Sequence, residues 1–275
     1  MLDNFWAQVV LSPNQHPLDG RIEIVKDASL SMASLKTLWD SAARDGYYGS
    51  DRIFQAVLKL FYELCCLKQI PVPKRGFKIY CKTTIPRQVG LAGSSALATA
   101  LLKCLVQYCN IPESQFPKHE QANLALSAER DELGISAGHQ DRVVQIYGGL
   151  VYMDFNRTLM KGRGYGDYQR FVGSDLLLSR FGLWLAYERQ GKESGKVHRN
   201  IKALFDAGDE RIVTGMADLA ALADQAKRIL LNDTLNDTLN DTLNEKRLKL
   251  ARLMDRNFGI NLDINHSYFP SSFFI

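Results

Sequence analysis

The sequence predicts an α+β protein of two domains, and three observations lead there. Short apolar or alternating runs at Phe5 to Leu11, Arg21 to Val25, Phe77 to Thr83 and Leu150 to Phe155 read as strands. Between them lie segments with the longer period of helices. From Lys196 onward the pattern is helical alone.

The chain has 275 residues, 46% hydrophobic and 23% charged, which is ordinary for a soluble globular protein with ample core. A net charge of +4 suits an anionic small molecule and is too diffuse for nucleic acid. The five cysteines (Cys65, Cys66, Cys81, Cys104, Cys109) form no C-x-x-C pair and are odd in number. They read as small core residues kept reduced. Asp3 and the polar stretch from Ser12 to Gln15 interrupt any leader-like apolar run. No stretch approaches the roughly 20 apolar residues of a membrane span. A soluble cytoplasmic protein, with no membrane partner, is the expectation.

In chain order, the first two strands are joined by a turn through Pro13, Pro17 and Gly20. Ser34 to Asp45 and Ser50 to Leu67 read as helices, each opened by a serine cap. The intervening Gly46-Tyr-Tyr-Gly49 reads as a turn, with part of a sugar pocket as the alternative. His119 to Leu133 reads as one helix ending at Gly134. His119-Glu120 starts like a zinc-protease motif, but Asn123 stands where its second histidine belongs. Taken alone, the Glu129-Arg-Asp-Glu132 charge run is a solvated helix face. Asp141 sits at the start of a helix between a Gly-bounded loop and the Gly148-Gly149 break. Leu176 to Tyr187 includes a buried strand, followed by a polar loop from Glu188 to Val197. Lys196 to Ala207, Glu210 to Leu231 and Glu245 to Phe258 read as helices. Asn232 to Leu243 is a threefold Asn-Asp-Thr-Leu repeat, rich in poor helix formers and expected at a helix–helix turn. The tail from Gly259 changes character, with no evident packing logic.

The most informative stretch is Thr83 to Tyr108. A strand leads through a loop with Gly90 and Gly93 into a helix expected from Ala96. Glycines let backbone amides approach a ligand, and a helix start adds unpaired N–H groups and a positive dipole end. That combination is an anion site, usually for phosphate. Ser94 and Ser95 would cap the helix or offer hydroxyls to phosphate or metal. Neither the G-x-x-x-x-G-K-[ST] loop nor the G-x-S-x-G elbow occurs.

The full string Pro86-Arg87-Gln88-Val89-Gly90-Leu91-Ala92-Gly93-Ser94-Ser95-Ala96 resembles the phosphate motif of the GHMP kinases. Within that superfamily the chain resembles the plant-type glucuronokinases from about Asn4 to Phe258. The shared stretches are NFWA (Asn4 to Ala7), GYYG, TTIPRQVGLAGSSA, Leu126 to Phe155 and SGKVH (Ser194 to His198). The resemblance implies the superfamily fold, an N-terminal domain like ribosomal protein S5 domain 2 over residues 1–160, followed by a partial α+β domain over 161–275. It implies ATP and Mg²⁺ as cofactors and a small sugar acid as substrate. Pro86 to Ala96 would wrap the ATP phosphates, Ser95 and Glu129 would hold Mg²⁺, and Asp141 would be the catalytic base. The activity implied is transfer of phosphate to the anomeric oxygen of D-glucuronate, giving the 1-phosphate for UDP-glucuronate synthesis. Another sugar, or a nucleotide-binding chain without activity, are the alternatives. Arg142 beside Asp141 is a further candidate, either to act on that neighbouring carboxylate or to pair with the substrate carboxylate. The family's N-terminal strand with its Gly-rich segment, and its C-terminal Gly-rich motif, have no counterpart here. Both ends are therefore expected to be shortened.

Overall fold

Alternate residues of Phe77–Thr83 face inward, with Phe77 and Ile79 buried and Tyr80 exposed, and this strand is the middle of the sheet. The computed structural model describes residues 5–25, 30–86, 89–172, 181–183, 185, 187, 194–231 and 239–266. Among them the chain divides into two compact units, Met1–Gly195 and Lys196–Ile275. The expected boundary after residue 160 falls inside the first unit, between two strands that pair across it.

In the first unit β1 (Ala7–Pro13), β2 (Ile22–Val25), β3 (Leu30–Met32) and β4 (Phe77–Thr83) form one sheet in the order β1-β4-β2-β3. β4 pairs antiparallel with β1 (Val9 opposite Cys81) and parallel with β2 (Ile24 opposite Ile79). The first two strands thus do not form a hairpin: β4 inserts between them. Asn14 explains how the chain leaves β1. Buried at the strand end, it donates to the carbonyls of Asp19 and Arg21 at 3.0 and 2.8 Å.

Helices α1 (Leu35–Asp45), α2 (Arg52–Leu67), α3 (Gly93–Tyr108) and α4 (Lys118–Ser127) follow. Ser34 caps α1 as expected, its hydroxyl accepting from Thr37 N at 3.1 Å. α2 begins at Arg52 after Asp51, so Ser50 is not its cap residue. α3 packs on β1, α2 and α4. Phe54, Leu58, Phe61, Leu101, Leu102 and Leu105 are fully buried in the core this creates. Each such side chain contributes roughly 1.5–3 kcal/mol by leaving water.

After α4 the chain makes a π-helical turn (Ala128–Glu132), then α5 (His139–Tyr147), β5 (Val151–Asp154), α6 (Arg157–Arg163) and β6 (Asp167–Arg170). β5 and β6 make a separate antiparallel pair. α6 and β6 carry no signal that the sequence reading used. The expected strand at Leu176 to Tyr187 and residues 188–193 of the expected loop lie almost wholly outside the described residues, while residues 194–197 of that loop are helical instead.

The second unit contains α7 (Ser194–Asp206), α8 (Glu210–Leu231) and α9 (Leu239–His266). α8 packs against α9, with Gly215 so close to Ile264 that a Cβ would stand 2.8 Å from its Cδ1. This contact corrects the expected helix end at Phe258. Ile260 and Ile264 continue the packed face, so the helix runs on through Gly259 to His266. Residues 239–243 of the repeat already belong to α9, and 232–238 lie outside the described residues.

Gly76 tests the sheet entry. A Cβ there would lie 2.0 Å from the Arg21 carbonyl oxygen and 2.5 Å from that of Gly20. Its own N–H donates to Asp19 O at 2.7 Å and its carbonyl accepts from Asn14 N at 2.9 Å. Backbone obstructs the methyl, so little can yield. We expect Gly76→Ala to cost about 3 kcal/mol, the upper part of the overpacking range. Urea unfolding would measure this, and a loss below about 1 kcal/mol, ordinary for a point substitution, would refute it.

Candidate active site

The loop after β4 turns through two left-handed residues, Gly90 (φ 75°) and Ala92 (φ 54°), before α3 starts at Gly93. Glycine takes that conformation freely, whereas alanine is strained in it, so Ala92 must be held by its surroundings. Gly93 lies close to Ile85, where a Cβ would stand a tight 3.3 Å from Cγ2. Ala92 offers α3 no side-chain cap, which leaves the helix's first N–H groups and positive end to the loop. Arg87 and Gln88 lie outside the described residues.

The helix begins three residues earlier than expected, so Ser94 and Ser95 are in its first turn and neither is its cap. They point to different partners. The Ser94 hydroxyl donates to Glu129 Oε1 at 2.5 Å. That of the buried Ser95 donates to Ala92 O at 2.9 Å and accepts from Gln145 Nε2 at 3.1 Å. The direct serine partner of Glu129 is therefore Ser94.

Glu129 itself is fully buried, against the reading of its charge run as a solvated face. That reading holds for Arg130 and Asp131, which pair with each other in solvent. The difference comes from helix geometry: Glu129 stands four residues after Ala125 and seven after Ala122, both fully buried, and so continues the inward face of α4. The π turn is anchored at its other end. Glu132 accepts from Lys59 Nζ of α2 at 2.7 and 2.8 Å and from the Tyr47 hydroxyl. Burial, and then the Glu132 carboxylate, push the Tyr47 phenol up from its ordinary value, so it stays a donor. The GYYG segment is thus a turn, and its first tyrosine braces the Glu129 segment.

Helix α5 carries Asp141 in its first turn, where the helix dipole favours a carboxylate. The Asp141 side chain is 49% exposed. The next residue is not free to meet a substrate. Arg142 is buried and donates from Nε to Glu129 Oε2 at 2.8 Å, with Nη2 on the same oxygen. Its Nη1 donates to Gly138 O at 2.9 Å and Asp141 Oδ2 at 3.2 Å. The expected contact with a substrate carboxylate is corrected accordingly: the guanidinium already serves two carboxylates. His139, also in this turn, is held below its ordinary value by burial first, then by Arg130 and Arg142.

Gln145 was not anticipated, although it lies four residues after Asp141 and so on the same helix face. Besides Ser95, its amide donates to Ala92 O at 3.3 Å, and its Oε1 accepts from Thr99 Oγ1 at 3.2 Å. It joins α5 to the glycine loop and would hold the strained Ala92. We expect Gln145→Leu to weaken ATP binding about tenfold, the worth of one or two neutral hydrogen bonds. Calorimetric titration would show it, and an unchanged affinity would refute it.

For a metal, the described residues contain no cluster of three or more His, Cys, Asp or Glu. Mg²⁺ bound with a nucleotide takes only one or two carboxylates beside phosphate oxygens and water. Glu129 Oε1 facing the Ser94 hydroxyl, with Ser95 in the same turn, fits that donor set.

Residues 52–149 match the family model for the GHMP kinases N terminal domain. The chain is 37% identical over 259 residues to Glucuronokinase 1 of Arabidopsis thaliana, and 37% identical over 260 residues to Probable glucuronokinase 2 of the same plant. These alignments cover 94% of the chain and 66% of each relative. The crystal structure of a D-glycero-D-manno-heptose 1-phosphate kinase from Bacteriodes thetaiotaomicron superimposes with a TM-score of 0.60 at 18% identity. It covers 94% of this chain and 68% of that one, a likeness of fold.

Proposed function

The chain belongs to the GHMP kinases through its N-terminal domain, and from that premise we propose that it transfers the γ-phosphoryl group of ATP to the anomeric hydroxyl of a sugar, with D-glucuronate as acceptor. One observation carries the reading: Ser94, Glu129, Arg142 and Asp141 form an unbroken hydrogen-bonded chain from the glycine loop to α5. The candidate phosphate site and the candidate base are thereby joined. The acceptor follows from the identity to the two glucuronokinases.

Phosphoryl transfer relies on positioning and charge neutralisation, with little covalent work for the protein. The loop around Gly90 and Gly93 and the uncapped start of α3 hold the phosphates through backbone N–H groups. Bound Mg²⁺ would neutralise phosphate charge, held by Glu129 and by the hydroxyls of the Ser94–Ser95 turn, of which Ser94's is the nearer. Asp141, half exposed, accepts the proton of the sugar hydroxyl. That oxygen then bonds to the γ-phosphorus as the bond to the β-phosphate oxygen breaks and ADP leaves. No helix among the described residues is long and apolar enough to cross a membrane, so nothing there ties the reaction to a bilayer.

The test is ADP release from Mg-ATP with D-glucuronate, beside D-galacturonate, D-glucose and D-galactose. Glucuronate-dependent turnover supports the proposal. Turnover with a neutral hexose alone would move the acceptor and keep the kinase. A folded chain that binds ATP and turns over none of the sugars would overturn the kinase reading in favour of nucleotide binding alone.

A further inference from the structure

Among the described residues, Arg142 is the one buried cation facing both carboxylates of the candidate site. Its guanidinium spends Nε and Nη2 on Glu129, which is fully buried, and Nη1 on Asp141, which is half exposed. A third acceptor, the Gly138 carbonyl at 2.9 Å, fixes the plane of the fork at the residue preceding α5. Only a planar guanidinium spans three acceptors in this way, since an ammonium is a point charge. Glu129 comes from the π turn and Asp141 from α5, two segments separated by the loop at 133–138. Arg142 is thus a side-chain connection between the residue proposed to hold the metal and the residue proposed to take the proton.

The arrangement also bears on charge. An isolated carboxylate as buried as Glu129 would be costly, and the adjacent guanidinium offsets that cost before any ligand arrives. Without it, the triphosphate of ATP would approach an uncompensated negative charge.

Resting on the kinase reading above, we propose that Arg142 is a positioning residue with two roles. It sets Asp141 relative to Glu129, and it supplies the resident positive charge that lets the site accept ATP before or without the metal.

The experiment compares the wild-type chain with Arg142→Gln and Arg142→Lys. ATP affinity is measured calorimetrically in Mg²⁺ and again in EDTA, and kcat and KM are measured in the ADP-release assay. In Arg142→Gln the ratio of Mg-ATP to metal-free ATP affinity should rise about tenfold, because only the metal can now compensate Glu129. Arg142→Lys keeps the charge and should hold that ratio within about twofold of wild type. Its kcat should nevertheless fall about tenfold or more at unchanged KM, because Asp141 is no longer held in place. A Gln variant with an unchanged ratio, or a Lys variant with wild-type kcat, overturns the inference; a merely structural arginine would lower stability and move neither. If the Gln variant does not fold, the kcat of the Lys variant decides. A wild-type chain that binds no ATP in either condition overturns the kinase reading itself, which the variants cannot do.

Discussion

Asp141→Asn is expected to lower sugar-dependent turnover by on the order of 10³, within the usual range for a lost general base. The side chain is half exposed, and it supplies only one of the acceptors around Arg142, at 3.2 Å. An asparagine oxygen can keep that contact, so stability should change by less than about 1 kcal/mol. ATP binding should also persist, because Glu129, Ser94 and the glycine loop are untouched. ADP release, thermal unfolding and nucleotide titration on the same preparation separate the three effects. An Asn variant within tenfold of wild type would remove Asp141 from the chemistry.

Glu129→Gln should have the other large effect, and of a different kind. Glu129 is fully buried, takes two donors of Arg142 on one oxygen, and takes Ser94 at 2.5 Å on the other. Neutralising it leaves the buried guanidinium a neutral amide oxygen in place of a carboxylate, with Asp141 and the Gly138 carbonyl as its other partners. Breaking a buried pair this way costs about 3–5 kcal/mol, and the surviving contact with Asp141 places the expectation near the lower end. If Glu129 also holds the metal, Mg-ATP affinity should fall about 100-fold, as strongly as the larger losses seen for residues around metal ligands. Wild type should then gain stability from Mg-ATP by mass action while the variant gains almost none. Urea unfolding with and without Mg-ATP reads both quantities. A variant as stable as wild type would refute the buried pair, and equal stabilisation by Mg-ATP would refute the metal role.

Much of the fold was legible because it is local. Phe77–Thr83 reads as a strand from its own alternation, and α1 announces itself through the Ser34 cap. The glycine loop before α3 is recognisable because few residues other than glycine adopt left-handed backbone or admit a neighbour as close as Ile85. The start of α3 was misplaced by three residues for a related reason. Ala92, which no propensity scale would put in a left-handed turn, ends the loop and lets the helix begin at Gly93.

The candidate site was legible as a set of residue types and illegible as a set of contacts. Glu129 lies in a run that reads as solvated from its charges, whereas it continues the buried helix face of Ala122 and Ala125 and finds its partners there. The π turn depends on Lys59 and Tyr47, more than 70 positions away in the chain, through their bonds to Glu132. Gln145 and Arg142 were ambiguous for the same reason, since a side chain's partner is set by segments that only folding brings near. By itself the sequence determined the kind of protein: an α+β chain with a glycine loop leading into a helix, and one glutamate and one aspartate in fixed motif positions. Tertiary structure alone decided that β4 enters between β1 and β2, that Ser94 rather than Ser95 meets Glu129, and that Arg142 is enclosed by carboxylates. Periodicity, capping and glycine geometry act within a few residues, whereas sheet order and buried charge pairing are settled by packing across the whole unit.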